Sequence, residues 1–396
     1  MFAWLKQKLG LKRLFASSDQ DPTIPLPTKS LDKKILYLKR QFRESPDIII
    51  RELNIGFNGE IRAILLFVDG LVDKEALEVR VIQPLIQEEY FKNIIGTNLS
   101  PLEAITNHLI LSTELKIENE LYRAVERVMQ GETALLIDGF QDTLVLGHRR
   151  FATRAIEEPD TERTTQGPRL GFVENLRINT SLLRRIIATP NLALEMTSIG
   201  VVTKTDICIA YVKGIARPEL LDEVKRRLKS SKIDGLLSSG IISELIGDSP
   251  HSPFPTIGVS ERPDKVASKI LEGRIAIIVN GTPFVLTVPH LFIEHFQVPS
   301  DYCSPWIMQS SLRLLRFVAF LLSIFTVPSY VALTSFHHEL LPNYLAYSFA
   351  AARMSTPFSA FVEALILSLF FEILREAGIR MPGAVGGAVN IVGALV

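Results

Sequence analysis

The chain has 396 residues, and its 43 Lys and Arg balance 43 Asp and Glu, so no bulk charge favours nucleic acid or an acidic partner. Its length suggests two or three units at roughly 100 to 200 residues per domain. The two cysteines, Cys208 and Cys303, have no metal-type or redox-type neighbours, which implies no disulfide framework and fits a reducing compartment for the large N-terminal part.

Residues 1–30 read as a basic tail and a Pro-rich linker. "MFAWLKQKLGLKRLF" has the charges of a signal peptide without its continuous apolar stretch, so export of the first 300 residues is not expected. Trp4, Leu5, Leu11, Leu14 and Phe15, set among Lys6, Lys8, Lys12 and Arg13, suit either a frayed basic terminus or a helix on a membrane surface. "SSDQDPTIPLPTKS" (17–30) then leads into the first domain.

From 31 to 147, and again from 191 to 312, one pattern recurs: a short β-rich run ending in a polar residue and glycine. It appears as "AILLFVDG" (63–70), "ALLIDG" (134–139), "ICIAYVKG" (207–214) and "IAIIVNG" (275–281), as expected of buried strands entering tight turns. The first strand of each pair precedes a helical pattern, "LVDKEALEVRVIQPL" or "ARPELLDEVKRRLKS". The second strands align without a gap, Gly131 with Gly273, Ala134 with Ala276 and Gly139 with Gly281. This predicts two related α/β subdomains, arising from an old duplication or from the general similarity of α/β pieces.

Between them, 148–190 holds a charged bridge in which eight arginines stand against five acids within 148–187. It reads either as a solvated linker followed by an amphipathic helix, or as an ionic latch between subdomains or neighbouring copies. The latch candidates are Arg149, Arg150, Glu158, Asp160, Glu162, Arg169, Glu174 and Asn175.

A membrane domain is expected over 313–396. Phe317 to Phe336 carries no charge over 20 residues, enough to cross a bilayer core of about 30 Å. A second span is expected at 354–374, and the balance of arginines puts the N-terminal domains on the cytoplasmic side. Pro328 removes a backbone donor within the first span. Glu363, placed near mid-bilayer, reads as an ion-path or gating residue or as a buried inter-helix hydrogen bond. Glu372, Arg375, Glu376 and Arg380 suit a charge cluster at the membrane edge. After Arg380 the 16 residues 381–396 are too few for a further span of about 20 residues and read as an incomplete third segment.

Recognisable catalytic chemistry is missing from the sequence. The seven histidines show no metal or triad spacing, and no Walker A, G-x-G-x-x-G or HExxH pattern occurs, so no enzyme, cofactor or metal is expected. The Asp-Gly and Asn-Gly pairs are assigned to left-handed turns.

"FVDGLVDK" (67–74), "EPDTE" (158–162), "GPRLGFVENLRIN" (167–179), "EGRIAIIVNGTPFVLTVPHLF" (272–292) and "REAGIRMP" (375–382) resemble the A subunits of GerA-type spore germinant receptors. Leu170 stands where that family usually has an acid, and Asn280 where it has Asp. The resemblance implies a cytoplasmic two-part domain and a helical transmembrane domain of a multi-pass protein in the spore inner membrane. It also implies assembly with B and C subunits, homo-oligomerisation, and a part in a nutrient-gated ion channel that triggers germination. Family members continue with further membrane helices, so the chain is expected to be truncated at its C-terminus. A secondary transporter or permease component is the alternative, suggested by an intramembrane acid and broken apolar helices.

Overall fold

The computed structural model describes residues 29–55, 61–86, 105, 114–150, 159, 161–162, 167–230, 233–248, 252, 254–298, 301, 305–354 and 357–380. The chain forms two compact units, Met1–Cys303 and Ser304–Val396.

The first unit holds two five-stranded sheets. In one, β1 (Ile48–Ile55), β2 (Ile61–Val68), β3 (Leu115–Glu118), β4 (Thr133–Ile137) and β5 (Thr143–Leu146) lie in the order β1-β2-β4-β5-β3. In the other, β6 (Leu192–Ile199), β7 (Thr205–Val212), β8 (Gly258–Ser260), β9 (Ile275–Val279) and β10 (Val285–Val288) lie in the equivalent order β6-β7-β9-β10-β8. Every neighbouring pair is antiparallel.

The central strands read as unbroken apolar runs because helices cover both faces of each sheet, a pattern more usual in parallel sheets. Ala63, Leu65 and Phe67 of β2 pack towards α2, whose consecutive pieces are Lys74–Leu77, a π-helical turn Glu78–Ile82, and Gln83–Ile86. Ile64, Leu66 and Val68 point to the opposite face, against α1 (Leu31–Gln41) and α3 (Leu121–Met129). In the second sheet Cys208, Ala210 and Val212 meet α4 (Leu176–Ile186) and α7 (Pro263–Leu271). Ile207, Ile209 and Tyr211 meet α5 (Pro218–Ser230) and α6 (Ser239–Ile246). Thus α4, within the stretch expected as a charged bridge, is a core helix of the second subdomain and the counterpart of α1.

Hydrogen bonds match between the repeats atom for atom. The N–H of Leu31, opening α1, donates to Asp138 Oδ1 at 3.1 Å, and that of Leu176, opening α4, donates to Asn280 Oδ1 at 3.2 Å. Asp69 N–H donates to the Asp47 carbonyl at 2.7 Å, and Lys213 N–H to that of Asn191 at 2.9 Å. The glycines of the Asp-Gly and Asn-Gly turns, Gly139 and Gly281, take φ of +83° and +90°, where a side chain is disfavoured. Two related α/β subdomains, both built on antiparallel sheets, are therefore present.

In the second unit α8 (Trp306–Ser335) is continuous through Pro328, and α9 (Asn343–Arg353) and α10 (Ala360–Arg380) follow. Among the described residues α8 alone is long and apolar enough to cross a membrane, reaching a mean hydropathy of 1.9. α10 has the length, but Glu363, Glu372, Arg375, Glu376 and Arg380 interrupt it.

Candidate functional site

The two subdomains meet where the loop after α1 touches α4 and the start of β6. Arg184 of α4 is fully buried, and its Nε and Nη2 donate to both carboxylate oxygens of Asp47 at 2.9–3.1 Å. Its Nη1 donates to the carbonyls of Leu192 at 2.9 Å and Thr189 at 3.3 Å, so the guanidinium is satisfied without water. A buried charge is tolerated only when paired and hydrogen-bonded in this way. Ser45 Oγ adds a bond to the Leu192 carbonyl at 3.3 Å.

A polar rim continues the contact. Lys213 Nζ lies 3.0 Å from Glu44 Oε2, and the Tyr211 hydroxyl reaches Glu44 at 3.1 Å and Glu195 at 2.5 Å. Burial, then the neighbouring Glu195 and Glu44 carboxylates, push the Tyr211 phenol up and keep it protonated. Burial opposes ionisation of Glu44, but the hydrogen bond and charge of Lys213 outweigh it and hold that carboxyl below its ordinary range. Cys208 lies beneath this region with no exposed surface, and burial pushes its thiol up, as befits an unreactive core residue.

The residues singled out in the bridge go to different places. Arg149 Nη2 donates to Glu132 Oε1 at 2.5 Å and Arg150 Nη1 to Asp73 Oδ2 at 3.0 Å, both within the first subdomain. Glu162 binds Ser260 Oγ and Lys265 Nζ, each at 2.5 Å, within the second. The Glu174 carbonyl accepts the Gly281 N–H at 2.8 Å. Asn175 caps α4, its Oδ1 accepting from Arg177 N at 2.9 Å and Ile178 N at 3.3 Å. Arg169 is exposed, and Glu158 and Asp160 lie outside the described residues. The buried inter-subdomain ion pair uses Arg184 and Asp47, and the rim pair uses Lys213 and Glu44, none of them singled out from the sequence. A lone arginine on the apolar side of an amphipathic pattern was the available signal.

A second buried ionic group lies at the end of the domain. Glu294, in the 3-10 turn Phe292–Phe296, pairs with Arg274 and with Lys269 Nζ at 2.9 Å, lies 3.0 Å from His290 Nδ1, and accepts the Leu291 N–H at 2.8 Å. Burial works against its ionisation, yet the hydrogen bonds from Arg274 and Lys269 prevail and hold the carboxyl at about 2. Burial lowers Lys269 and His290, with Glu294 opposing in both. Among the described residues no three of His, Cys, Asp and Glu converge to hold a metal ion.

In the second unit, Pro328 lines an apolar cavity of about 350 Å³ with Val331 and Phe336 of the α8 side and Phe361, Leu365 and Ser368 of α10. Glu363, centred by sequence in a span at 354–374, instead occupies the first turn of α10 and is half-buried, outside that lining. Pro357 lies between α9 and α10, where it disfavours a continuous helix, so α10 begins at Ala360 and the acid sits at the helix start, where the dipole favours it. Arg375 donates to Glu372 one turn earlier, Glu376 lies one position beyond Arg375, and Arg380 closes the helix.

The chain is 41% identical to spore germination protein KA of Bacillus subtilis over 94% of this chain and 67% of that protein. It is 39% identical to spore germination protein B1 of the same organism over 91% of this chain and 73% of that one. The crystal structure of the N-terminal domain of the A subunit of the Bacillus megaterium spore germinant receptor GerK3 matches with a TM-score of 0.54 and 35% identity, over 68% of this chain and 98% of that one. The Bacillus/Clostridium GerA spore germination protein family matches residues 36–396, and with this fold and these relatives the chain belongs to that family.

Proposed function

We propose that this protein is the A subunit of a nutrient-sensing spore germinant receptor, seated in the spore inner membrane with its two-sheet domain in the cytoplasm. It works with B and C subunits, oligomerises through the two-sheet domain, and contributes membrane helices to a ligand-gated ion channel. The observation that carries this reading is the order of parts. A domain similar to the N-terminal domain of a germinant-receptor A subunit is followed directly by the charge-free α8 stretch. The buried Arg184–Asp47 pair supports a domain that moves as one body, and Glu363 supplies an ionisable side chain on a helix next to a long apolar one.

The test is nutrient-triggered ion release from spores carrying Glu363→Gln. Complexes with the B and C subunits should still assemble, while ion release changes in rate or extent. Normal release at normal protein level would remove Glu363 from the path, and failure of the chain to co-purify with B and C subunits would overturn the receptor reading itself.

A further inference from the structure

We propose that the turn Phe292–Phe296, together with Phe254, is a lipid-docking wedge that rests in the cytoplasmic interfacial layer of the membrane, which rests in turn on the reading of α8 as a membrane helix. Phe254, Leu291, Phe292, Ile293 and Val298 are 58%, 51%, 44%, 49% and 39% exposed. The rings of Phe254 and Phe292 meet edge to face at 5.3 Å, so residues far apart in sequence form one apolar surface. Exposed apolar patches of this kind mark interaction surfaces, and aromatic and aliphatic side chains on a polar body are what interfacial membrane contacts use.

The turn is held rigidly from inside. Glu294 points inwards to Lys269 and Arg274 and accepts the Leu291 N–H, while Arg274 Nη1 also donates to the Pro289 carbonyl at 3.2 Å. Phe296 is buried as well, at 7% exposure, and packs its ring 5.6 Å from that of Phe292. With these two side chains fixed inwards, Leu291, Phe292 and Ile293 are directed outwards with little freedom to fold back.

Chain reach identifies the occupant. The 30 residues of α8 span about 45 Å at 1.5 Å each, close to the roughly 40–45 Å of a bilayer with its headgroups. With Phe317 to Phe336 filling the hydrocarbon, the 11 preceding residues of α8 carry Trp306 about 16 Å above it, through the headgroup layer on the side of the two-sheet domain. Val298 precedes Trp306 by eight residues, a tether of at most about 29 Å fully extended. The wedge is therefore within tether reach of the same lipid surface, and its exposed side chains are apolar apart from His295, whose ring meets that of Phe292 at 6.0 Å.

The full-length chain, with Cys303→Ser to remove that thiol and Cys208 left in its core, is reconstituted in phosphatidylglycerol/phosphatidylcholine vesicles. A fluorophore is placed through Ile293→Cys, Phe325→Cys on α8, or Leu36→Cys on the exposed side of α1. Nitroxide lipids labelled at the headgroup or deep in the acyl chain serve as quenchers. The headgroup quencher should dim the Ile293 probe about threefold or more relative to Leu36, as expected for interfacial insertion, and the deep quencher should dim Phe325. Adding Phe292→Glu should return the Ile293 signal to the Leu36 level. A quenched Phe325 with Ile293 no dimmer than Leu36 overturns the wedge and leaves the membrane reading standing. An unquenched Phe325 overturns the membrane reading and the wedge with it. Disulfide cross-linking between Ile293→Cys chains without lipid quenching assigns the surface to a second copy and overturns the lipid assignment.

Discussion

Arg184 and Asp47 face each other as a two-pronged ion pair across 137 positions of sequence, with side chains 0% and 3% exposed. Removing one partner leaves an uncompensated charge in the interior. Asp47→Ala should therefore destabilise the domain by about 3–5 kcal/mol. Replacing both, as Asp47→Leu with Arg184→Met, should recover most of that loss. Urea unfolding followed by circular dichroism reads both outcomes; equal losses in the single and double variants would show that the pair is not coupled.

The turn after β9 separates charge from hydrogen bonding. Asn280→Ala deletes the acceptor for the first N–H of α4 and should cost about 1 kcal/mol. Asn280→Asp keeps the acceptor and adds a negative charge at a helix N-terminus, so it should be neutral or stabilising by about 0.3–1 kcal/mol, less at high salt. A salt-independent loss with Asp would show that the amide nitrogen is needed.

Two glycines with nearly the same φ should respond differently to alanine. A Cβ at Gly281 meets nothing within 4 Å, so Gly281→Ala should cost only the left-handed backbone strain, about 1–2 kcal/mol. At Gly273 the Cβ would lie 2.9 Å from the Ile215 carbonyl oxygen, so Gly273→Ala should lose more. Thermal melts of the two variants side by side give the comparison.

Stability should fall in two stages on acidification. His148 lies buried, and burial followed by the Arg80 charge lowers its pKa below the ordinary 6.5. The unfolded chain therefore takes up that proton first, and stability declines as pH drops below about 6.5. Glu294, held at about 2 against an ordinary 4.5, contributes stability above about pH 4.5 that is lost as pH falls towards 2. His148→Leu should reduce the upper stage, leaving the part contributed by the similarly lowered His290, and Glu294→Gln should reduce the lower one in unfolding free energy measured against pH.

Legibility in the sequence depends on what each residue needs from its surroundings. The runs "AILLFVDG" and "IAIIVNG" announce β2 and β9 because both faces are buried and the turn demands glycine. The edge strands β1 and β6 pass unnoticed, since half-exposed strands such as "IIIRELNI" mix charge with apolar residues. Arginine content made 148–187 read as a bridge, yet Arg184 of α4 is buried because its partner Asp47 comes from the other subdomain, while the buried Asn179 and Thr180 are satisfied locally by Val173 and the Arg177 carbonyl. The Glu294 group was illegible for a related reason: its members come from α7, the turn before β9, the segment after β10 and the 3-10 turn, and only packing brings them together. The start of α10 was displaced by a local effect, Pro357, that a hydropathy window averages away.

The matched hydrogen bonds of the two repeats place Asn191 where Asp47 stands in the first, and Lys39 at the same step of its helix as Arg184. Asn191 carries no charge, and Lys39 is engaged by Glu52 at 3.1 Å. A head-to-tail joint between duplicated modules is open-ended by geometry, and every free end invites another module. Here the acid is missing from one end and the base is occupied at the other, so the joint terminates after a single pairing. The two related modules thus make one such joint with each other, and the ion pair that closes it is not repeated at their outer ends.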